Sequence, residues 1–302
     1  MSKKRIALIG CGVISIHYRL GLSRSETLDL IAICDNNPQA VGRSVFEGIP
    51  FYTDYHALYE AQAPDLVLIS TPVASHARIA SFFLQNQTDV IIEKPMAENL
   101  QSIKDLYSLA DKNQCQLDCI FHWKEACEVA FLKEHPEIIH DTKMLSINIH
   151  DNYTLPGGSV INDDRLGLMG AWLDSGINIL SYLDELFPLN KLKLTNYKYE
   201  YDNIHKLPIY TLRAYELGEK NIYIKIDWRY NSRDKRSILT TSNDEYEIIH
   251  SEQTIKKNGT LIFSNPNPDR LSDHYDRLFH NYRIQDHQQN VIQIHTLLFE
   301  NT

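Results

Sequence analysis

The 302-residue chain has no uninterrupted apolar run long enough to span a membrane, which takes about 20 residues in a helix. Residues Met1 to Arg5 lead directly into a short apolar strand, without the longer apolar segment of a signal peptide. Positive charge is also scarce, since 30 Lys and Arg face 39 Asp and Glu, for a formal net charge of −9. We therefore expect a cytoplasmic protein that binds neither nucleic acid nor an anionic membrane.

Cysteine is too scarce to form a disulfide framework, because the chain has only five, an odd number. Cys115 and Cys119 lie near each other but lack a second pair of metal ligands nearby, so we expect buried thiols and no metal site. Internal repeats and low-complexity tracts are absent as well. At this length we expect two domains.

The first part of the chain, from residue 5 to about 121, alternates short aliphatic runs with helix-like stretches. The predicted strands are Arg5–Ile9, Leu28–Cys34, Leu66–Ser70, Val90–Ile92 and Leu117–Ile120. The predicted helices are Ile14–Leu22, Ala77–Asn86 and Asn99–Asn113, the last with Asn99 as its N-cap. This alternation predicts an α/β fold with a doubly wound parallel sheet.

After residue 123 the strands are joined by short polar turns, which is typical of an antiparallel sheet. The predicted strands are Lys143–His150, Leu192–Tyr201, Ile209–Tyr215, Asn221–Arg229, Ser237–Thr241 and Tyr246–His250. Gly170–Phe187 is the one clear helix between them, and helices over Ser272–Asn281 and Gln285–Glu300 follow. We expect an N-terminal dinucleotide-binding Rossmann domain over residues 1–122. A C-terminal α+β domain for substrate binding and oligomerisation, with an open and mainly antiparallel sheet, is expected over residues 123–302.

The second predicted sheet is rich in aromatic residues. They are Tyr197, Tyr199, Tyr201, Tyr210, Tyr215, Tyr223 and Trp228. Aromatic enrichment is typical of protein interfaces, so we expect a homodimer or homotetramer formed through this sheet. Packing under the Gly170–Phe187 helix is the alternative explanation.

A glycine-containing motif, Gly10-Cys11-Gly12-Val13-Ile14-Ser15, directly follows the first predicted strand. The glycines permit a tight turn and close backbone approach, and the helix that follows would face a pyrophosphate. Ser15 replaces the third glycine of the usual fingerprint, and an ordinary strand-to-helix turn is the alternative. Asp35 ends the second aliphatic run, near the spacing at which an acidic side chain accepts hydrogen bonds from a ribose.

The expected cofactor is NAD, with NADP less favoured, because Asp35 would repel a 2′-phosphate. Asn36 and Asn37 supply no cation to offset that repulsion. Arg43 is the nearby cation along the chain.

A second motif, Glu93-Lys94-Pro95, follows the aliphatic run Val90–Ile92. It puts Lys94 at the carboxyl end of a strand in the same sheet, where open parallel sheets bind their ligands. Lys94 would hydrogen-bond a reacting oxygen and stabilise the alkoxide that develops there. A solvated surface lysine is the alternative, although Pro95 restricts Lys94 to extended conformations. Together the two motifs predict hydride transfer.

With these features the sequence resembles the Gfo/Idh/MocA family of nicotinamide-dependent oxidoreductases over nearly the whole chain. Four motifs carry the resemblance: Gly10-Cys11-Gly12, Ser70-Thr71-Pro72 followed by His76, Glu93-Lys94-Pro95, and Asp174-Ser175-Gly176-Ile177-Asn178. It implies a Rossmann domain followed by an open mixed sheet. The implied cofactor-binding residues are Gly10, Cys11, Gly12, Val13, Ile14, Asp35, Ser70, Thr71, Pro72, His76, Glu93 and Lys94.

Members of that family commonly have Asp-x-x-x-His where this chain has Asp174-x-x-x-Asn178. The spacing puts both side chains on one face of a helix. Because an amide carries no proton near neutral pH, the resemblance leaves Asp174 as the expected base and Asn178 as a residue that orients substrate. A helix-face salt bridge and a satisfied core amide are the respective alternatives.

The replacement is similar to the branch that oxidises aldoses, such as arabinose and galactose, at the anomeric carbon to a lactone. An anomeric hydroxyl is more acidic than a secondary alcohol, so a weaker base suffices. Phe121-His122-Trp123 is also similar to a segment of that branch, which implies substrate contacts for His122 and Trp123; simple packing is the alternative. Arg165 is a candidate for binding a substrate carboxylate or phosphate, or a solvated loop charge.

The sequence therefore predicts an NAD-dependent sugar or polyol dehydrogenase, with Lys94, Asp174 and Asn178 as its catalytic residues. Two alternatives stay open. One is a catalytically silent sugar or dinucleotide sensor on the same fold, and the other is a dehydrogenase of a phosphorylated or nucleotide-linked sugar.

Overall fold

The computed structural model describes residues 3–39, 44–154, 169–282 and 287–301. The chain divides into two compact units, the first made of Met1–His122 with Leu271–Asn301 and the second of Trp123–Arg270. The division after residue 122 lies where the sequence predicts it. The C-terminal residues, however, return to the first unit.

The first unit contains a six-stranded parallel sheet. Its strands are β1 (Lys4–Ile9), β2 (Leu28–Cys34), β3 (Phe51–Tyr52), β4 (Leu66–Ile69), β5 (Asp89–Glu93) and β6 (Leu117–Ile120). They are arranged in the order β3-β2-β1-β4-β5-β6, and all neighbouring strands are parallel. This is the doubly wound order of a Rossmann fold, whose topological switch point lies between β1 and β4. The predicted sheet is confirmed, with β3 added because two residues are too few to show a periodicity.

Among the described residues, four α-helices and a 3-10 helical turn over Ser44–Phe46 lie between these strands. The α-helices are α1 (Ser15–Arg24), α2 (Tyr55–Gln62), α3 (Val73–Gln85) and α4 (Leu100–Asn113). The side chain of Asn99 accepts a hydrogen bond from the Ser102 N–H at 2.9 Å, so the predicted N-cap is confirmed. Asp54 caps α2 in the same way through the His56 N–H at 3.1 Å. Leu66, Val67, Leu68 and Ile69 of β4 are all fully buried, which is why the strand is a continuous aliphatic run.

The second unit contains an eight-stranded sheet. Its strands are β7 (Met144–Asn152), β8 (Lys193–Tyr201), β9 (Pro208–Leu217), β10 (Lys220–Asp227), β11 (Arg229–Thr240), β12 (Glu245–Ile249), β13 (Thr254–Lys257) and β14 (Thr260–Ser264). Their order is β14-β13-β12-β11-β7-β10-β9-β8. Only the pairing of β7 with β10 is parallel among these described strands, so the mainly antiparallel sheet is confirmed.

The helices of the second unit are α5 (Cys127–Glu134), α6 (Pro136–Asp141) and α7 (Ile177–Leu186), with a π-helical turn over Trp172–Gly176 directly before α7. The π-helical turn and α7 lie within the predicted helix Gly170–Phe187. Helices α5 and α6 precede β7 and were not predicted, because both are short and α5 buries Glu128 as well as apolar residues. Strands β13 and β14 were also not predicted. In β13 only Ile255 is buried, so the strand shows no alternation to read.

Alternation along the second sheet divides its aromatic residues between the core and the surface. Tyr215 and Trp228 are buried in the core, with exposed fractions of 1% and 0%. Tyr197, Tyr201 and Tyr223 are 47%, 54% and 43% exposed. Part of the aromatic enrichment is therefore packing, and oligomerisation through the exposed part stays a prediction.

The last two helices, α8 (Arg270–His280) and α9 (Gln288–Phe299), correct the predicted domain assignment of the C-terminal residues. Tyr275 and Phe279 of α8 belong to the hydrophobic cluster of the first unit, where Tyr18 meets Tyr275 edge-on at 5.0 Å between ring centroids. Helix α9 packs on α4 and β6. Helical periodicity shows that such helices have an apolar face but does not show which sheet that face covers. No helix within the described ranges is long and apolar enough to cross a membrane.

Candidate active site

A cavity of about 330 Å³ lies at the carboxyl ends of β1, β2 and β4, at the topological switch point of the first unit. Half of the twelve predicted cofactor-binding residues line it. These are Gly10, Gly12, Asp35, Ser70, Thr71 and Pro72. The first motif and the turn after β4 therefore build one site, although they are far apart along the chain.

The two glycines of the first motif have different reasons to be glycine. Gly10 has a φ of +101°, and a Cβ there would lie 2.7 Å from the backbone carbon and oxygen of Ser70. The two segments are also linked by a hydrogen bond from Ser70 Oγ to the Gly10 carbonyl oxygen at 2.9 Å. A Cβ at Gly12 would meet no atom within 4 Å, so this position borders open space in the cavity. That arrangement leaves room for a phosphate group against the backbone.

Asp35 lies at the edge of the cavity with both carboxylate oxygens fixed by backbone donors. Its Oδ2 accepts from the Cys11 N–H at 2.7 Å, and its Oδ1 accepts from the Asn37 N–H at 2.8 Å. A carboxylate has about four lone-pair sites, so these two bonds leave acceptor capacity for ribose hydroxyls. The cavity, its glycine cradle and this carboxylate fit a dinucleotide that carries a free ribose diol.

Arg78 and Tyr55 also line the cavity, and the sequence analysis missed both. Arg78 Nη1 donates to Tyr55 Oη at 3.0 Å, and the guanidinium carbon lies 5.8 Å from the centroid of the Tyr55 ring. Arg78 is thus a cation of the cofactor cavity that is distant from Asp35 in sequence. The cation named from the sequence, Arg43, lies outside the described residues.

The other six predicted cofactor-binding residues are not part of the cavity lining. They are Cys11, Val13, Ile14, His76, Glu93 and Lys94. Val13 is 84% exposed. Glu93 accepts a hydrogen bond from Tyr18 Oη at 2.6 Å, and burial together with this carboxylate raises the pKa of Tyr18. Their direct contact with the cofactor stays a prediction.

His76 links two loops of the first unit. It is 2% exposed, with Nε2 at 2.6 Å from the Thr71 carbonyl oxygen and Nδ1 at 3.0 Å from the Pro95 carbonyl oxygen. Burial lowers the pKa of His76. The residue therefore joins the turn after β4, which lines the cavity, to the Glu93-Lys94-Pro95 segment at the end of β5.

Asp174 lies in the second unit, on the π-helical turn Trp172–Gly176. The Trp172 ring lies so close to Gly176 that a Cβ at this position would overlap Trp172 Cε3. Such turns within helices are found frequently at functional sites. Asp174 is half-buried.

Asn178, one turn after Asp174, is 8% exposed. Its Nδ2 donates to the Asp174 carbonyl oxygen at 3.2 Å. Its Oδ1 is buried and accepts no hydrogen bond from the described residues. A buried amide oxygen of this kind calls for a donor, and a hydroxyl group can supply one.

Two predicted substrate-binding residues have their rings packed inside their units. His122 is 6% exposed, with its Nδ1 at 3.0 Å from Nδ1 of His274. Trp123 is 3% exposed and stacks on His250 at 5.0 Å between ring centroids. These contacts favour the packing alternative for both. Arg165, which is also predicted to bind substrate, lies outside the described residues.

A Rossmann sheet with a glycine cradle and an acidic side chain at its switch point defines a dinucleotide-binding protein. Residues 4–121 match the oxidoreductase family with an NAD-binding Rossmann fold that is named GFO_IDH_MocA. This segment is less than half of the chain, and over it the chain is similar to the Gfo/Idh/MocA oxidoreductases, as the resemblance implied.

Known proteins from bacteria are similar to this chain in sequence or in fold. D-glucoside 3-dehydrogenase of Escherichia coli K12 is 25% identical over 59% of this chain and 52% of its own length. The oxidoreductase YgjR of the same organism is 36% identical over 41% of this chain and 38% of its own length. The chain thus spans about half of the length of the first of these curated relatives and less than half of the length of the second.

The WlbA dehydrogenase of Bordetella pertussis, crystallised with NADH and UDP-GlcNAcA, shares the fold. Its TM-score is 0.77 at 17% identity, over 98% of this chain and 93% of that one. At this identity the likeness concerns the fold alone.

Proposed function

We propose that this protein is an NAD-dependent dehydrogenase that oxidises a CH–OH carbon of a sugar or polyol. Its NAD-binding family and its relative D-glucoside 3-dehydrogenase support this class of substrate. NAD supplies the hydride acceptor. The chain's own residues then have to bind the alcohol, polarise its oxygen and remove its proton.

The buried Oδ1 of Asn178 is the observation that carries the proposal. It is an acceptor without a donor among the described residues, and it lies one turn from the half-buried carboxylate of Asp174. We assign it to a substrate hydroxyl, which Asn178 orients by accepting a hydrogen bond. Asp174 takes the proton of the reacting hydroxyl, and Lys94 stabilises the negative charge that develops on its oxygen. Lys94 and Asp174 belong to different units, and their joint action is part of the proposal.

The anomeric hydroxyl of an aldose is the substrate group that fits these residues best. Asn178 cannot carry a proton, so the chain lacks the imidazole that family members commonly have at this position. A more acidic hydroxyl can be deprotonated by a carboxylate alone, and among the hydroxyls of a sugar the anomeric one is the most acidic. Oxidation there gives a lactone. A ring hydroxyl, such as the one at C3, is the second candidate, favoured by the name of the 25%-identical relative.

Paired substrates test both the function and the carbon that is oxidised. Each aldose is incubated with NAD beside its methyl glycoside, in which the anomeric hydroxyl is blocked, and reduced cofactor is followed by absorbance. We expect turnover of a free aldose and none of its methyl glycoside. Equal turnover of the aldose and its methyl glycoside would show that a ring hydroxyl is oxidised, and it would refute the proposal of oxidation at the anomeric carbon.

The same panel separates the remaining alternatives. The panel also includes inositols, sugar phosphates and nucleotide-linked sugars. The last two test whether the protein is a dehydrogenase of a phosphorylated or nucleotide-linked sugar. If NAD binds but no sugar, polyol or sugar derivative is oxidised, the dehydrogenase proposal fails and the sensor on the same fold replaces it. Cytoplasmic location and assembly through the exposed part of the second sheet stay predictions, and light scattering at several protein concentrations tests the latter.

A further inference from the structure

Two buried histidines from two different helices contact the backbone next to Lys94. His76 of α3 meets the Pro95 carbonyl oxygen through Nδ1 at 3.0 Å. His295 of α9 accepts the Met96 N–H on its Nε2, also at 3.0 Å. Both imidazoles are buried, with exposed fractions of 2% and 0%, and Met96 is fully buried as well. The two ends of the Pro95–Met96 peptide group therefore each lie against a buried histidine. His295 accepts the hydrogen bond of the N–H, whereas a neutral His76 shares one N–H between the carbonyl oxygens of Thr71 and Pro95.

His295 can accept a hydrogen bond on Nε2, because its other ring nitrogen, Nδ1, already donates one. Nδ1 lies 2.8 Å from the Val291 carbonyl oxygen one turn earlier in α9, so Nδ1 carries the proton and Nε2 presents a lone pair. Burial lowers the pKa of His295 to about 4, which keeps this tautomer neutral at ordinary pH. The Phe121 and Phe299 rings lie against it, each at 6.0 Å between ring centroids.

We propose that His295 is a positioning residue for Lys94, holding the Pro95-Met96 backbone so that the ammonium group is kept in place for the reacting oxygen. The inference rests on the proposed function of Lys94. A lysine side chain has several rotatable bonds, so the position of its ammonium depends on a fixed backbone from which it extends. A displacement of about 1 Å at a catalytic group can cost about a hundredfold in rate.

The place of the C-terminal helix in the first unit makes this contact possible. Helix α9 packs on α4 and β6 and brings His295 to a loop that lies 199 positions earlier along the chain. A helix that only covered the sheet would need an apolar residue at this position. The fully buried imidazole of His295 instead donates one hydrogen bond within its helix and accepts one from the segment that follows Lys94, so it links the two specifically.

Two amide substitutions of His295 test the hydrogen bond between its Nε2 and the Met96 N–H. His295→Gln keeps an acceptor at about the place of Nε2, whereas His295→Asn reaches only the place of Nδ1. On the sugar substrate that turns over best, we expect His295→Asn to lower kcat by about 10-fold to 100-fold with KM changed less than about threefold. We expect His295→Gln to keep most of the kcat. Equal kcat values for the two variants, or a loss confined to KM, would overturn the proposal.

A readout that does not depend on turnover follows the Met96 amide itself. In hydrogen exchange read by mass spectrometry, the peptide containing Met96 should exchange faster in His295→Asn than in the wild type and in His295→Gln. Unchanged exchange in His295→Asn would refute this link. If Lys94→Met keeps full turnover, the proposed role of Lys94 fails, while the exchange experiment still decides whether His295 holds the loop.

A variant of the other histidine, His76, tests the proposal if His295→Asn does not fold. His76→Leu removes the contact to the Pro95 carbonyl oxygen without touching α9. We expect faster exchange in the same peptide and a lower kcat. Exchange and kcat both equal to those of the wild type would contradict the two-histidine arrangement.

Discussion

Alanine at Gly10 and alanine at Gly12 should damage the protein in two different ways, although the two positions belong to one loop. At Gly10 the φ of +101° is strained for any other residue, and the new Cβ would lie 2.7 Å from Ser70 backbone atoms and 2.8 Å from the Thr71 nitrogen. Backbone atoms cannot rotate aside as a side chain can. The dihedral strain alone costs about 1–3 kcal/mol, so with the overlap we expect Gly10→Ala to lose about 3 kcal/mol of unfolding free energy.

Gly12→Ala should leave stability unchanged and weaken cofactor binding. Its Cβ meets no atom within 4 Å, so the folded chain accepts it without a clash. Gly12 lines the cavity at the switch point, however, and the methyl group would occupy space that a pyrophosphate needs. We expect the Kd for NADH to rise about tenfold or more, which is about 1.4 kcal/mol.

Two assays separate these outcomes. Thermal unfolding without cofactor should show a Tm about 6–12 °C lower for Gly10→Ala and about the wild-type value for Gly12→Ala. Titration with NADH, followed by fluorescence, should then show the affinity loss in the folded Gly12→Ala protein. Wild-type NADH affinity in Gly12→Ala would refute the assignment of this cavity to the cofactor. A wild-type Tm for Gly10→Ala would refute the strain argument.

Three further predictions concern the cofactor, the substrate and pH. Titration with both cofactors should show that Asp35→Ala narrows the preference for NAD over NADP. In the Asp35→Ala background, Arg78→Ala should weaken the binding of NADP more than the binding of NAD. If the wild type binds NADP more tightly than NAD, the role of Asp35 is contradicted. Asp174→Asn should lower kcat by about 10²-fold to 10⁴-fold, whereas Asn178→Ala should mainly raise KM; full turnover in Asp174→Asn would make Asp174 structural. Because burial lowers the pKa of His295 to about 4, the unfolded chain takes up a proton below about pH 6.5 that the folded chain does not, so stability falls as pH is lowered. Urea unfolding should show a loss of about 2 kcal/mol between about pH 7.5 and 5 that His295→Gln removes, and an equal loss in the variant would exclude His295 as its source.

Local patterns in the sequence predicted the parts of the site that lie close together along the chain. Gly10 and Gly12 could be recognised because a tight turn after a buried strand restricts residue type locally. Asp35 could be recognised because its distance from the glycines is set by one helix and one strand. The cap at Asn99 followed from a side chain and an N–H three residues apart, a geometry that any helix start provides.

The residues missed from the sequence are those whose role depends on contacts between distant segments. Arg78 lies on α3, and only the order of the strands brings it to the cavity that Asp35 borders. His122 and Trp123 looked like ligand contacts because an aromatic side chain can serve a sugar or a core equally well. Only their burial and their contacts with His274 and His250 favour the core.

The sequence by itself determined that the chain has a Rossmann unit with a dinucleotide site and a second unit with a mainly antiparallel sheet, because strand and helix periods are local properties. It also determined that position 178 is an amide. Members of the family that the sequence resembles commonly have an imidazole there. Tertiary structure decided that the C-terminal helices return to the first unit and that His295 meets the Met96 N–H. Such pairings depend on which apolar faces complement each other across the folded chain, and no local pattern of residues encodes that choice.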